Sequence, residues 1–382
     1  MKSPDICVFG ADGVVGRRIC IELTAAGAAF SIATRRAVSE PGIAVRAHLA
    51  DAFDAASLAA AFSGARVVIN AAGPLRETAA PVLVGALSAG AHYLDLGGEQ
   101  AVLKSLYERH ESTARRAGLI ALPGAGLDCM IGDLAAAWAA QHLCGDASSG
   151  PAVRSAPAER IAEDHPLDEI CVSYVFDDLA VSAGSQRALF GAVGGRALVW
   201  RRDRWEPGRA GDKRRVNAGP TLGGERDAIM HAGGDVMTVP RHVAANLVAT
   251  YVSTTRRAAS GALMRLLATA LPLVPRAASE LLAPFAPPDA DYARTRFAVV
   301  VQVRRGFSAA QLAVRGSDPY RTTAVTAAWA ARQLATRGAG PVGMRAPGEL
   351  FRAEPALREL ANAAGLTLEP SFGSFGGSAL PR

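Results

Sequence analysis

The stretch Val8-Phe-Gly-Ala-Asp-Gly-Val-Val-Gly-Arg17 sets three glycines, Gly10, Gly13 and Gly16, at intervals of three. Before it lies a short apolar run, Ile6 to Phe9, and after it apolar residues recur at Val15, Ile19 and Leu23. The run reads as a buried parallel strand and the recurrence as a helix. A glycine-bearing strand-to-helix turn suits one kind of chemistry, the binding of paired phosphates. Gly10 would permit the tight turn. Gly13 would let bare main chain approach the phosphates, and Gly16 would let the helix pack close to its strand. Main-chain N–H groups around Val14 and Val15 would face the anion. The spacing is GxxGxxG rather than GxGxxG, so the strand–helix context carries the assignment. Asp12 lies inside the turn, where its carboxylate must point away from a pyrophosphate.

The second predicted strand, Phe30 to Ala33, runs into Thr34-Arg-Arg36. An acid there would accept hydrogen bonds from an unmodified ribose. Arg35 and Arg36 instead suit a 2′-phosphate by charge and fork geometry, and Arg35 is favoured of the two. The cofactor expected is therefore NADP, as NADPH. Asp51, after a third strand at Val45 to Leu49, would either approach the adenine or cap the next helix. Asn70-Ala-Ala-Gly-Pro74 follows a fourth strand, and small Ala71, Ala72, Gly73 and Pro74 would let the backbone pass close to the cofactor. Asp95 and Glu99 follow the fifth strand, and Asp128 follows the sixth. These three acids are the candidates for substrate contact.

The elements that must position these residues alternate, strand then helix, over about 125 residues. Such alternation predicts a parallel sheet with helices on both faces. After a helix from Cys129 to His142 the pattern changes. Alternating stretches at Ile170 to Val175, Leu198 to Trp205, Leu247 to Val252, Thr295 to Arg304 and Ala309 to Val314 read as strands. Ser185 to Val193 reads as helix, and Lys213 to Gly234 as a glycine-rich loop. The fold class expected is α/β: a Rossmann-type domain over 1–130, an inserted α+β domain on a mainly antiparallel sheet over 131–317, and a helical segment over 318–382. Thr322 to Arg337 and Pro355 to Ala364 are the closing helices.

Composition narrows the function classes. The formal charge is +6, but the arginines are dispersed and no nucleic-acid module occurs, so no nucleic-acid partner is expected. Five cysteines and seven histidines form no zinc or HExxH pattern, so no metal is expected. No apolar run is long enough to span a bilayer. Leu263 to Leu282 reads as a packed helix, with a peripheral membrane contact as the alternative. A cytoplasmic location is expected, a small molecule is the expected substrate, and a homodimer through the second domain is the possible assembly.

Taken together, Gly10-Ala-Asp-Gly-Val-Val-Gly16, Val67-Val-Ile-Asn-Ala-Ala-Gly-Pro74, Gly90-Ala-His-Tyr-Leu-Asp-Leu-Gly-Gly-Glu99, Gly124-Ala-Gly-Leu-Asp128 and Asp318-Pro-Tyr-Arg-Thr-Thr-Ala324 resemble the saccharopine dehydrogenase-like oxidoreductases, including their trans-acting enoyl reductase branch. The resemblance implies an NAD(P)-binding Rossmann domain, an inserted α+β domain and a C-terminal segment that returns to the first domain. It implies cofactor contact at Gly10, Gly13, Gly16, Arg35, Ala72, Gly73 and Pro74. Asp12 and Cys129 depart from the usual residues. No substrate follows, because the family spans several chemistries.

A nicotinamide enzyme moves a hydride, and the protein orients it and supplies a proton. With only Lys2, Lys104 and Lys213, the chain offers no Tyr-x-x-x-Lys relay. Tyr93, His92, Tyr174 and Tyr320 are the candidate catalytic donors. By fold analogy the reaction expected is NADPH-dependent reduction of a C=C or C=N bond in a mostly apolar molecule. One alternative is an amino-acid-type dehydrogenase acting at a C–N bond, with carboxylate-binding arginines such as Arg187, Arg241 or Arg321. The other is a non-catalytic NADP-binding sensor or scaffold.

Overall fold

Six short strands, most of them apolar, alternate with helices through the first third of the chain: β1 (Ile6–Phe9), β2 (Phe30–Thr34), β3 (Arg46–Leu49), β4 (Val67–Asn70), β5 (His92–Asp95) and β6 (Ile120–Leu122). The computed structural model describes residues 5–37, 45–145, 159–177, 179, 197–209, 211–255, 292–338 and 340–373. The expected helix at Ser185 to Val193, the segment Leu263 to Leu282 and Arg187 lie outside these residues. The six strands form one parallel sheet in the order β3-β2-β1-β4-β5-β6. The order reverses between β1 and β4. A crevice opens there at the carboxyl ends of the strands, where doubly wound sheets bind ligands. Between the strands run α1 (Val14–Ala25), α2 (Ala55–Phe62), α3 (Leu75–Ser88) and α4 (Gln100–Arg116).

After β6 a π-helical turn, Leu127–Ile131, leads into α5 (Gly132–Cys144). Every residue of α5 from Gly132 to Gln141 is buried. Five of these ten are alanine, whose small side chains let backbone come close on all sides. One apolar core runs from β1 and α1 through α5 to the strands of a second sheet, against which α5 packs.

The second sheet has nine strands: β7 (Glu169–Asp177), β8 (Leu198–Arg201), β9 (Arg204–Pro207), β10 (Lys213–Asn217), β11 (Glu225–Met230), β12 (Leu247–Thr255), β13 (Arg296–Arg305), β14 (Ser308–Ser317) and, joining last, β16 (Thr367–Gly373). Its main path is β10-β11-β12-β7-β13-β14-β16, with β8 also on β12 and β9 on β8. All its pairs are antiparallel except β12 with β7. The expectation of a mainly antiparallel second sheet therefore holds, with one parallel pair at its centre.

Three local readings need correction. Leu198 to Trp205 is not one strand. It is a hairpin, β8–β9, whose turn residues Arg202 and Asp203 take φ of 46° and 65°. Lys213 to Gly234 is not mainly loop, since it holds β10 and β11. Their outward residues are charged and their inward residues few, so the apolar alternation that marks a half-buried strand is faint. The short strand β15 (Gly343–Met344) and β16 had no readable pattern either.

The chain from 318 onward meets both sheets. The helix α6 (Asp235–Thr238) precedes it in the second sheet region, and α7 (Pro319–Thr336) then packs along α1. β15 adds to the parallel sheet beside β6. The helix α8 (Ala353–Ala364) lies on α5 and α7, and β16 pairs with β14. Asp318 fastens the start of this segment. Its carboxylate accepts the Arg321 N–H at 2.9 Å, capping α7, and both its oxygens lie 2.6 Å from the Arg18 guanidinium on α1. Asp318 does this at φ 53°, a left-handed conformation that aspartate and asparagine tolerate better than alanine. Replacing Asp318 with alanine should lower stability by about 1–2 kcal/mol in urea titration, and asparagine should recover much of the loss. Equal stability of all three proteins would show that this clasp contributes nothing.

Candidate functional site

The turn after β1 meets the loop after β4 at the switch point. The Gly10 N–H donates to Ala33 O at 2.8 Å, and the Ala71 N–H donates to Phe9 O at 2.8 Å. Gly10 has φ 83°, and a Cβ there would lie 2.6 Å from Ala72 N. A Cβ on Gly16 would lie 2.1 Å from Gly10 O. The protein's own packing therefore demands glycine at both positions. Gly13 differs. Its φ is −76°, open to any residue, and a Cβ there would meet only Gly10 O at 3.4 Å and Ala71 O at 4.0 Å. Nothing in the fold requires glycine at 13, so the bare backbone there is free for a ligand's approach. No side chain caps the start of α1 and no acid occupies its first turn. Asp12 and Val14 are exposed, while Gly13 and Val15 are half-buried. The residues fit a pyrophosphate: a partly open cradle, uncapped N–H groups and a carboxylate free to turn outward.

Arg35 and Arg36 stand exposed just past β2, in a turn shaped by the Thr34 hydroxyl donating to Arg36 O at 2.6 Å. Among the described residues neither arginine has an ion-pair partner. Asp51 does not cap α2. Its Oδ1 accepts the Phe53 N–H at 2.9 Å, while Asp54 takes the N–H groups of Ala56 and Ser57. Sequence reasoning picked the first of two aspartates in one turn, and only geometry separates them. Ala71, Ala72 and Pro74 are half-buried and Gly73 is exposed, with a cis peptide joining Gly73 to Pro74. Thr78 holds this loop by donating to Ala72 O at 2.5 Å.

Beneath the loops runs a buried polar chain. Asn70 accepts the Ala72 N–H at 3.1 Å and approaches the Tyr93 hydroxyl at 3.3 Å with its amide nitrogen. Tyr93 donates to Asp95 Oδ2 at 2.9 Å. Asp95 Oδ1 accepts the N–H groups of Gly97 and Gly124 at 3.0 and 3.1 Å. Asp95 is buried and its carboxyl is raised, because desolvation outweighs these three donors. Tyr93 is fully buried, and its hydroxyl is raised first by burial and then by the Asp95 charge. Both residues serve as struts under the site, and neither presents a free group to it. Asn70 was the missed member, though a polar residue closing the apolar run Val67-Val-Ile was a signal for it.

His92 opens β5, three residues before Asp95, which puts it about 10 Å away at the opposite edge of the sheet. Its Nδ1 accepts the Ile120 N–H at 3.0 Å. Burial and the charges of Arg337 and Arg66 lower its pKa to about 4. His92 is thus remote from the loops expected to hold the nicotinamide. Tyr320 is buried at the start of α7, its ring 4.4 Å from that of Tyr292. It packs at the N-terminus of α7 against the short turn that precedes β13.

The loops after β5 and β6 meet the second sheet. Glu99 forms an isolated bridge with Gly233, and a Cβ on Gly98 would touch that of Asp128 at 2.9 Å. Asp128 is exposed to solvent, and desolvation by the protein around it raises its carboxyl. Glu99 is half-buried and raised by burial, with Arg76 opposing and Asp95 reinforcing. His231 is half-buried, and desolvation lowers it to about 4. Behind them the Tyr174 hydroxyl lies 3.0 and 2.9 Å from the two oxygens of Asp235. Gly132 makes room for this pair, since a Cβ there would lie 2.3 Å from Asp235 Oδ1 and 2.6 Å from the Tyr174 hydroxyl. Burial, opposed by the Tyr174 hydrogen bond and reinforced by the Asp133 and Asp128 charges, raises Asp235 well above its ordinary value. Cys129 is buried beside Thr238 and raised by burial, an unreactive thiol. His231 and Asp235 were missed because His231-Ala-Gly-Gly-Asp235 carries no period that places it in the fold. Among the described residues no group of acids, histidines and cysteines is arranged to hold a metal.

The low pKa of His92 has a consequence for stability. The unfolded chain binds this proton near pH 6.5 and the folded one only near 4, so folding weakens as pH falls between those values. His92→Gln keeps an acceptor for Ile120 and should flatten the fall in urea-measured stability between pH 6.5 and 4. An unchanged pH slope would remove His92 as its source.

No protein-family model matches the chain. Apo saccharopine dehydrogenase (L-Glu forming) from Saccharomyces cerevisiae is similar in structure over 96% of this chain and 99% of its own, with TM-score 0.60 and 13% identity, which is a shared fold. In sequence the chain is 27% identical over 167 residues to a lipid droplet localized protein of Caenorhabditis elegans. It is 27% identical over 157 residues to a candidate trans-acting enoyl reductase of Mycobacterium tuberculosis, Rv2449c. The matches cover 38% of this chain and 38% and 37% of those proteins, so the chain spans under two fifths of the curated relatives it matches. Among the described residues no helix is long and apolar enough to cross a membrane. The chain therefore shares the fold of saccharopine dehydrogenase and is similar, over 38% of its length, to a candidate trans-acting enoyl reductase, and its first sheet has the strand order of a Rossmann domain.

Proposed function

We propose that the chain is an NADPH-dependent oxidoreductase that reduces a C=C or C=N bond of a mostly apolar small molecule. The observation that carries the reading is the space at Gly13. Backbone beside the switch point is left bare where the fold itself has no need of glycine. Arg35 and Arg36 at the end of β2, exposed and without an ion-pair partner among the described residues, support a 2′-phosphate, and hence NADP over NAD. Gly10, Gly13, Val14, Val15 and Gly16 would hold the pyrophosphate, and Ala71 to Pro74 would pass beside the ribose and nicotinamide. When bound, the nicotinamide supplies a hydride.

The chain's own residues then have to orient a substrate and give it a proton. Asp128 is an exposed acid beside Gly98 whose carboxyl is raised by desolvation, a direction that suits proton donation. Tyr174 and Asp235 stand behind it as a buried hydrogen-bonded pair. The enoyl reductase and lipid droplet names of the relatives support an apolar, unsaturated substrate. The amino-acid-type alternative needs arginines free to bind a carboxylate. Arg241 is instead held by Glu349 and Met344 O, and Arg321 by Glu22 and the end of α8.

Fluorescence titration with NADPH and NADH tests the reading. Arg35→Ala should weaken NADPH about tenfold to a hundredfold, the equivalent of one charge-assisted contact, and leave NADH nearly unchanged. Equal losses for both coenzymes would remove the 2′-phosphate role. Gly13→Val should abolish binding of both while the melting temperature stays near that of the parent chain. Binding retained in the valine variant, or silence of the parent chain toward both coenzymes, would end the case.

A further inference from the structure

A cavity of about 200 Å³ lies between α4, the β8–β9 hairpin and α6. Tyr107 of α4, Trp200 and Trp205 of the hairpin, Met237 of α6 and Pro240 in the turn after it form its walls. Lys104 and Arg241 complete the lining.

The polar ends of these side chains are engaged elsewhere or shut in. Lys104 Nζ pairs with Glu108 one turn along α4. Arg241 donates from Nε to Glu349 at 2.8 Å and from Nη2 to Met344 O at 3.0 Å. Trp205 Nε1 donates to Val236 O at 3.2 Å. The Tyr107 hydroxyl and Trp200 Nε1 are buried atoms, so these two residues offer the cavity ring carbon. What the walls present is hydrocarbon and thioether, with no polar group left to meet a charge.

The same contacts hold the cavity open. The Gln100 side chain both donates to Leu198 O at 2.9 Å and accepts the Leu198 N–H at 2.8 Å, tying the hairpin to α4. The Trp205 bond to Val236 O ties it to α6. The rings of Trp200 and Trp205 meet edge to face, 5.3 Å apart, and the Arg241 guanidinium covers the Tyr107 ring at 4.3 Å. Collapse of a wall would break these contacts. An apolar hollow gives a water molecule too few partners, and about 150 Å³ of such space is enough to take up benzene. A carboxylate or ammonium entering it would lose its hydration with nothing to replace it.

We infer that this cavity is a binding site, apart from the glycine turn and Arg35, for an uncharged single-ring aromatic group. The ring packs among the aromatic walls and the Met237 thioether, and a charged substituent on it is excluded.

The test is a titration of the whole chain, its methionine methyls labelled with carbon-13, with toluene and with sodium benzoate as the charged counterpart. Toluene should shift the Met237 methyl signal saturably through its ring current and leave the other methionine signals nearly in place. Met237→Leu, a swap of similar volume, identifies that signal by its loss. Benzoate should bind at least about tenfold more weakly than toluene. Trp205→Ala removes one wall and should weaken toluene severalfold, with a melting curve showing that the variant is folded. The parent-chain shift and the benzoate contrast decide the matter even where that variant does not fold. No coenzyme is added, so the result is independent of the nucleotide reading. The site is overturned by the absence of a saturable shift, by shifts at other methionines in place of Met237, by benzoate binding as tightly as toluene, or by unchanged toluene affinity in the folded Trp205→Ala chain.

Discussion

One buried carboxylate fixes the shape of the crevice at the carboxyl ends of the strands. Asp95 is taken out of water at the end of β5, an unfavourable place for a charge unless donors surround it. It meets that requirement by drawing in the Tyr93 hydroxyl, the N–H of Gly97 and the N–H of Gly124. Through Tyr93 and Asn70 the same chain reaches the N–H of Ala72. Three loops, after β4, β5 and β6, are thereby set against one another. The floor of the crevice follows from the need to satisfy a single buried group.

The three glycines that open the chain have distinct causes. Gly10 is required by its positive φ and by the closeness of Ala72. Gly16 is required by the closeness of the Gly10 carbonyl. Both would be needed in a Rossmann sheet that bound nothing. Gly13 alone is free of such constraints, and a ligand's approach is the remaining physical reason for its bareness. The nucleotide reading thus rests on the glycine with the least structural work, which counting glycines in a motif would not distinguish.

Much of the first sheet was legible because most of its strands are short apolar runs bounded by turn residues, and a parallel strand covered on both faces has to be so. The second sheet was legible only where it is buried, as in β7, β13 and β14. β10 and β11 escaped because their charged outward residues hide the alternation. The site was legible in the same uneven way. Asp95, Glu99 and Asp128 were placed at strand ends by the alternation itself. The split between Asp95 as a strut and Asp128 as an open acid depends on which faces are covered. The alternation also cannot reveal that His92, in the same strand as Asp95, lies at the wrong edge, unless the direction of the sheet is considered with it.

The order of residues alone determined the strand–helix alternation, the glycine turn after β1 and the arginines after β2, because each depends on neighbours within one or two turns of chain. Tertiary structure decided what no local pattern encodes. It brought Asp235, from a glycine-rich stretch, against Tyr174, and set Asp128 against Gly98. It also gave the C-terminal segment to both sheets at once. These arrangements join residues up to some three hundred positions apart, as Arg18 and Asp318 show. Such contacts come from the shared burial of faces and the pairing of buried polar groups, and these are properties of the packed whole.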